Sequence, residues 1–550
     1  MLGAGALALS SVSVASAAGH GPKTGQPRTT TTTTSGSTFA VGQMQGQTVG
    51  AAGCGTNIAG EPSLHVSKAG LVVLGSEDGV GGGSQLWRGT QRGGTGASAC
   101  SLTYSGQPNA VSGVGASGGD IDTAIAPVKD PVTGKYRVYV ASLNLASINV
   151  ATSTDDAKTF TQVPVQAGVP VDDREWIAAY GASTSLLTYH DILSNNIDVL
   201  RSDTGGGPYV QTATAIPSTD YKASNNELGN IAIDHNSKTA GGGFYAYQSF
   251  VAPSKDPGPT GLVSSAPYNE AFAAVSSDGG HTFADRPIPC STTSGGSLNH
   301  QFPNVSVAPN GSLVETWSND AKVFAARSAD HGRTWTCTGS LSNGLKQAVE
   351  PWVVASATGT DLVYYGTADS PSANQLWSVY LVQDTGSGFG APKQVTTVHR
   401  GTICEGGVNC TTGRQLFDDF AVDTDPTGYA HIAYSTTLPA LVAAAPTPGT
   451  PCRPPARRSA HRTSQEPHRP AAPHGGRRPW RAVSRAGTSP RALPGRGRPA
   501  RWRAAAPAGS CWSCCRDPAP VRDRAHGRPR PGARPRSCGS CRSAGPAPCP

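Results

Sequence analysis

Carboxylates dominate the residues of this 550-residue chain that could do chemistry, and they recur at one kind of place. Short apolar strands open on Glu61, Asp120 with Asp122, Asp173 with Glu175, Glu227, Glu350, and Asp418 with Asp419. The strands that return from them close on Glu77, on Tyr189, His190 and Asp191, on Asp320, and on Tyr365; His300 stands at one further strand entrance. Two suitably spaced carboxyl groups can serve as acid and nucleophile, a Tyr sometimes taking the nucleophile's place, so Glu61, Glu175, Asp191, Glu350 and Tyr365 are the catalytic candidates. Arg174, His190, His300 and Arg414 are the candidates for holding a substrate. Carboxylates crowded together repel one another, so some should hold protons or share a cation. Hard oxygen donors suit calcium, with Asp120, Asp122, Asp418 and Asp419 as candidate ligands; no other cofactor is required. A plainer reading stays open beside this one, in which the acids bond to neighbouring strand ends and the tyrosines pack between sheets.

The elements that must position these residues are hairpins. They begin at Glu61, Asp120, Glu175, Glu227, Gln301, Val349 and Asp418, at intervals of roughly 45 to 75 residues. Each opens with an apolar strand, turns through Gly, Asn or Asp, and returns rich in β-branched and aromatic residues. In the first six, two further strands follow, such as Ile148 to Ser153 with Phe160 to Gln166. A lone four-stranded sheet of this kind leaves too much apolar face in water, so the units should stack around an axis as the blades of a β-propeller. The expected fold is all-β, with seven units and the last one truncated; a six-bladed arrangement is the alternative. First-strand starts and second-strand ends share a rim in such a fold, which places the acids around the mouth of the central channel.

One local motif repeats at the opposite rim. Ser328-Ala329-Asp330-His331-Gly332-Arg333-Thr334-Trp335 fits S-x-D-x-G-x-T-W at every fixed position, and Ser276 to Phe283, built on Asp278, fits with Phe for Trp. A weaker copy, Ser153 to Phe160, is built on Asp155. The Asp should accept backbone N–H bonds, the Gly should take a conformation closed to other residues, and the aromatic ring should plug the space between sheets. On these octets the chain resembles the sialidase-like propellers with Asp boxes, or BNR repeats, over about residues 61–437. The resemblance implies that Asp155, Asp278, Asp330 and Trp335 are structural. It also implies an exo-acting glycoside hydrolase on extracellular glycans, with a non-catalytic propeller that binds carbohydrate, protein or calcium as the alternative. The family places Arg-Ile-Pro before its first strand and clamps the substrate carboxylate with three Arg. Here Gly60-Glu61-Pro62 stands in that place, and only Arg174 and Arg414 lie near strand entrances.

Charge separates the ends of the chain from this core. Residues 451–550 hold 22 Arg, no Lys and three acids, so the formal net charge of +8 hides a core that is acidic. That acidity argues against nucleic acid as a partner and leaves a glycan or an extracellular protein. Residues 1–18 read as a secretory signal-like segment, too short to span a bilayer, and residues 19–53 as a Gly/Ser/Thr-rich linker. The propeller is expected over 54–438. From 439 to 550, Arg, Pro and Ala without alternation cannot offset the entropy of ordering, and the change in mid-repeat reads as out-of-frame coding sequence. A secreted monomer is expected, with disulfides among Cys54, Cys100, Cys290, Cys337, Cys404 and Cys410, Cys404–Cys410 first among them.

Overall fold

The structure is a computed structural model that describes residues 30–34, 37–43, 60–77, 84–90, 102–109, 120–144, 147–164, 172–258, 267–294, 297–298, 302–405, 410, 414–438 and 447–450. The chain divides into two units, Met1–Ala460 and His461–Pro550, and every described residue belongs to the first. The signal-like segment, His300, Cys54 and Cys100 lie outside the described residues.

Twenty-nine strands are described, in chain order. Strands β1 (Thr30–Thr34) and β2 (Ser37–Gln43) come first. Blade 1 follows, with β3 (Gly60–Val66), β4 (Leu71–Glu77), β5 (Ser84–Thr90) and β6 (Leu102–Gly106). Blade 2 has β7 (Ile121–Ile125), β8 (Val138–Asn144), β9 (Ser147–Ser153) and β10 (Thr161–Pro164). Blade 3 has β11 (Asp172–Tyr180), β12 (Thr184–Asp191), β13 (Asn196–Ser202) and β14 (Val210–Thr214). Blade 4 has β15 (Glu227–Lys238), β16 (Phe244–Ala252), β17 (Glu270–Ser276) and β18 (Ala284–Pro287). Blade 5 has β19 (Asn304–Val307), β20 (Leu313–Ser318), β21 (Val323–Ser328) and β22 (Thr336–Cys337). Blade 6 has β23 (Gln347–Ala355), β24 (Thr360–Thr367), β25 (Leu376–Asp384) and β26 (Lys393–Arg400). Last come β27 (Ala421–Thr424), β28 (Ala430–Thr436) and β29 (Thr447–Thr450).

Six sheets are therefore complete four-stranded antiparallel blades in sequential order. The seventh sheet is built on the β27–β28 hairpin, and its order is β1-β2-β29-β28-β27. Its outer part thus comes from both ends of the described chain, with Gly42 pairing Thr450 and Tyr434 pairing Gly449. Residues 30–34 and 37–43, expected as linker, and residues 447–450, expected within the unstructured tail, supply the positions that the truncated repeat left open.

The core lies between the sheets. Val73 and Val140 pack blade 1 on blade 2, Tyr139 and Leu187 join blades 2 and 3, and Trp176 and Phe250 join blades 3 and 4. The ring closes where Tyr365 and Phe420 join blade 6 to the seventh sheet and Leu74 and Ala433 join that sheet to blade 1. Side chains of the innermost strands also stitch neighbouring sheets together around the ring. Asp122 Oδ2 accepts from Ile177 N (2.8 Å), Asn230 Oδ1 from Val305 N (2.7 Å), Asn304 Oδ1 from Val353 N (2.8 Å) and Asp423 Oδ2 from Val66 N (2.6 Å). Only glycine fits at Gly229 in β15, because a Cβ there would run into the Pro303 carbonyl of the next blade.

The octets form one turn three times. Asp155, Asp278 and Asp330 each accept the N–H and the hydroxyl of the Thr four residues on, at 2.6–2.9 Å, and each accepts from the hydroxyl of the Ser two residues before, at 2.7–2.8 Å. Phe160, Phe283 and Trp335 each pack against the cluster shared with the preceding blade. Disulfides join Cys290 to Cys337, across the outer strands of blades 4 and 5, and Cys404 to Cys410. No helix among the described residues is long and apolar enough to cross a membrane.

Candidate functional site

First strands do not enter their blades straight. In β3, β11 and β23 the pairing slips between Gly60 and Ser63, Asp173 and Trp176, and Val349 and Trp352. At these bulges Glu61, Arg174 and Glu350 take left-handed backbone angles (φ 44°, 50° and 53°), and Phe417, just before the seventh sheet, does the same (φ 66°). For non-glycine residues this conformation costs on the order of 1–3 kcal/mol each, and it persists only where the surroundings hold it. A bulge re-aims side chains, and here it brings consecutive charged residues to the channel mouth.

Arg174 is the hub of that mouth. Its side chain is 6% exposed, and its guanidinium meets Glu61 Oε2 at 3.1 Å, Asp419 Oδ2 at 2.6 Å and Asp120 Oδ1 at 3.7 Å. Behind it lie Phe302, 4.3 Å from the guanidinium carbon to the ring centre, and Trp176 at 5.0 Å. Arg414 bridges Glu61 and Asp418. Both arginines expected to hold a substrate are therefore engaged by the chain's own carboxylates.

Nine acids face these two cations: Glu61, Glu77, Asp120, Asp173, Glu175, Glu227, Glu350, Asp418 and Asp419. Burial pushes Glu77 up to about 8, aided by Asp120 and only partly opposed by Arg414 and Arg174. Burial likewise lifts Glu227 to about 8, Asp419 to about 7 and Asp173 to about 6. Glu61, Glu175 and Glu350 are raised well above the usual carboxylate range, desolvation being the chief cause in each. Glu77 Oε1, both Glu175 oxygens and Glu350 Oε2 are buried and accept no hydrogen bond. Oxygens of Glu61, Glu77 and Asp120 lie within 4.8 Å of one another. Of the four candidate calcium ligands, only Asp120 joins that trio. Asp418 and Asp419 serve the arginines, and Asp122 is spent on Ser63 and on Ile177 N.

Three expected site residues take other places. Asp191 lies at the end of β12, where it accepts from Leu193 N and adds repulsion to the burial that raises Asp172 to about 7 and Asp198 to about 6. His190 turns its Nε2 to the Asn195 carbonyl at 3.3 Å. Tyr365 is fully buried, its ring against Phe420 (4.1 Å) and its hydroxyl accepting from Ser435 N at 2.8 Å, although Glu350 is near enough to oppose its ionisation. Glu77, Asp173 and Glu227 stand at strand ends in the sequence, but only burial, which spacing does not reveal, distinguishes them from solvated acids.

Aromatic rings cluster beside Arg174, Trp176 against Phe302 (6.0 Å) and against Trp352 (5.4 Å). Towards the opposite face opens a cavity of about 650 Å³, lined by inner strands of all seven sheets, among them Val66, Ile125, Ala178, Ile233, Val354 and Thr424.

No family model matches the chain, and no curated protein matches it. Among solved structures, it is similar to an α-L-arabinofuranosidase of Fusarium graminearum in complex with arabinobiose, at 14% identity, covering 63% of this chain and 98% of that one, with a TM-score of 0.41. It is also similar to the GH74 xyloglucanase from Xanthomonas campestris, at 13% identity over 71% of this chain and 52% of that one (TM-score 0.41). A third likeness is to a mutant of the Aleuria aurantia lectin in complex with α-methyl-L-fucoside, at 12% identity over 63% and 96% (TM-score 0.38). At these values the likenesses carry no argument, and the architecture rests on the strand pairing itself.

Proposed function

We propose that the chain is a secreted, sialidase-like Asp-box propeller that acts as an exo-glycoside hydrolase on neutral glycans at its acidic mouth. The observation that carries this reading is the trio Glu61, Glu77 and Asp120, whose oxygens lie within 4.8 Å of one another while Glu77 titrates at about 8. Retaining glycosidases use a carboxyl pair roughly 5 Å apart, one member holding its proton at working pH. Glu77 is the acid: it gives its proton to the leaving oxygen as Asp120, the more open of the two, bonds to the anomeric carbon. Water then attacks that carbon, Glu77 takes back the proton, and Asp120 is released. Neutral sugar is favoured over sialic acid because Arg174 and Arg414 are both engaged by carboxylates, leaving neither to grip an acidic substrate. The two disulfides suit an oxidising compartment.

A panel of neutral aryl glycosides with an aryl sialoside tests the reading. Turnover of a neutral member and none of the sialoside is expected, with kcat/KM falling above about pH 8 as Glu77 loses its proton, and with Glu77→Gln slower by roughly 10²–10⁴-fold. Silence across the panel overturns it. A second reading is favoured by one oxygen: Glu77 Oε1 is buried without a donor, as a ligand awaiting a cation would be. On that reading the mouth is non-catalytic and holds calcium between Glu61, Glu77 and Asp120. Calcium would then raise the melting temperature of the parent protein and leave that of Asp120→Asn unchanged.

A further inference from the structure

A second concave site lies away from the mouth, between the segment that follows β14 and the two outer strands of blade 4, β17 and β18. After β14 the chain turns through Pro217 into a short 3₁₀ turn, Tyr221–Ser224, capped by Asp220, and runs beside β18. Between them is a cavity of about 580 Å³, a size that accepts one or two sugar rings.

Its lining combines groups that seldom share a surface pocket. The Lys222 side chain is 9% exposed, with Nζ 2.5 Å from Asp220 Oδ2 and 3.4 Å from Asp285 Oδ2. Asp285 is 10% exposed; its Oδ2 has only the Lys222 ammonium at 3.4 Å, and its Oδ1 is buried and accepts no hydrogen bond. Glu270 keeps one oxygen on the Thr292 hydroxyl at 2.9 Å. Tyr221 and Phe272 turn their faces to the ammonium, at 4.8 and 5.4 Å. A buried carboxylate oxygen without a donor is costly, and burial pushes Asp285 up to about 6 although Lys222 pulls it down.

The missing partner must bring hydrogen-bond donors for Asp285 and Glu270, accept from Lys222, and offer an apolar face to the rings. An organic ammonium would supply donors but would meet the like charge of Lys222. An anion would meet three carboxylates against one cation. A neutral polyhydroxyl ring satisfies all three demands, because each hydroxyl both donates and accepts and the C–H faces of a sugar lie against aromatic rings.

We infer that the pocket formed by Tyr221, Lys222, Glu270, Phe272 and Asp285 is a binding site for a neutral sugar unit, separate from the acidic mouth. This inference does not rest on catalysis at the mouth, so it is tested in the full chain carrying Glu77→Gln. The probes are methyl β-D-glucopyranoside, methyl β-D-galactopyranoside and methyl β-D-xylopyranoside, with tetramethylammonium chloride and sodium glucuronate as charged controls. Saturation-transfer NMR is expected to show contact with at least one neutral glycoside and with neither control. Asp285→Asn, which swaps an acceptor for a donor at constant shape, should weaken that binding at least tenfold, as should Glu270→Gln, each with an unchanged near-ultraviolet circular-dichroism spectrum. Three results would overturn the inference: no neutral probe binding at 50 mM, binding indifferent to both substitutions, or preference for a charged control. Loss of mouth activity with this binding intact, or the reverse, separates the two sites.

Discussion

The two rims of the ring carry the same side chain in opposite electrostatic states. At the octet rim, Asp155 is half out of water, and hydrogen bonds from Thr159 and Ser153 overcome the cost of its burial and hold it at about 2. Asp330 is held at about 2 by the Thr334 N–H and hydroxyl and by Ser328. At the mouth, Asp419 rises to about 7 and Glu77 to about 8 because burial there comes without enough donors. A turn supplies backbone N–H groups pointing inward, whereas the ends of inner strands supply mainly other carboxylates. The rims differ in purpose for that reason: one is stabilised by its charges, and the other stores unfavourable charge where a ligand could relieve it.

The strongest way to break this contrast is to remove one cation from each rim. Arg174→Met leaves Glu61, Asp120 and Asp419 buried without their shared partner, and losing one side of such an array costs about 3–5 kcal/mol. Arg201 pairs with the largely exposed Asp203 and donates to the Gly279 carbonyl at 2.6 Å, and Arg201→Met should cost about 1–2 kcal/mol, an exposed ion pair and one hydrogen bond. Urea unfolding of both variants measures the difference. Equal losses would mean that the mouth is as well solvated as the outer rim.

The pH dependence of stability sharpens it further, since the two rims pull in opposite directions. A carboxyl whose folded pKa is raised binds its proton more tightly folded than unfolded, so stability falls as pH rises from the unfolded value near 4 through the folded one. Glu77 and Asp419 therefore cost stability between about pH 4 and pH 8. Asp155 and Asp330, with lowered values, contribute stability above about pH 4 and lose it as pH falls towards 2. The melting temperature should accordingly peak on the mildly acidic side of neutrality. Glu77→Gln should flatten its decline towards pH 8.5, and Asp330→Asn its decline below pH 4. A melting temperature that climbs steadily to pH 8.5 would contradict the raised values at the mouth.

Much of the ring was legible because every inner hairpin carries its own signal, an apolar strand, a turn through Gly, Asn or Asp and a return rich in β-branched and aromatic residues: the expected start at Glu227 is the first residue of β15, and that at Asp120 lies one residue before β7. The octets were legible because a turn is local, every partner of Asp330 lying within four residues. What spacing could not reveal was contact between distant strands. Arg174 reads as a free cation until Glu61, 113 residues earlier, is placed on it. Asp122 reads as a ligand until Ile177 N is seen to occupy it. The polythreonine run of β1 has no apolar alternation, and its place in the seventh sheet follows from pairing with β2, which in turn meets β29 about 400 residues later. The bulges at Glu61, Arg174 and Glu350 have no sequence signal, since residues with a Cβ are not expected at positive φ.

The smallest expected effect concerns the weakest octet. Gly280 and Gly332 hold the fifth position of their turns at φ 91° and 78°, and Ala157 stands at the same position in the third copy, at φ 61°. A Cβ in the left-handed region costs roughly 1 kcal/mol, and glycine removes that cost at the price of a more flexible unfolded chain and one buried methyl group. These opposing terms nearly cancel, so Ala157→Gly should change stability by less than about 0.5 kcal/mol, readable as a urea midpoint that barely moves at unchanged slope. Glu350→Gly makes the matching change at the mouth, where it relieves the same backbone strain and also deletes a buried acid, so its gain should be the larger. If Ala157→Gly gained more than Glu350→Gly, the strain at the mouth would be no greater than that of an ordinary turn, and the bulges would lose their standing as a sign of function.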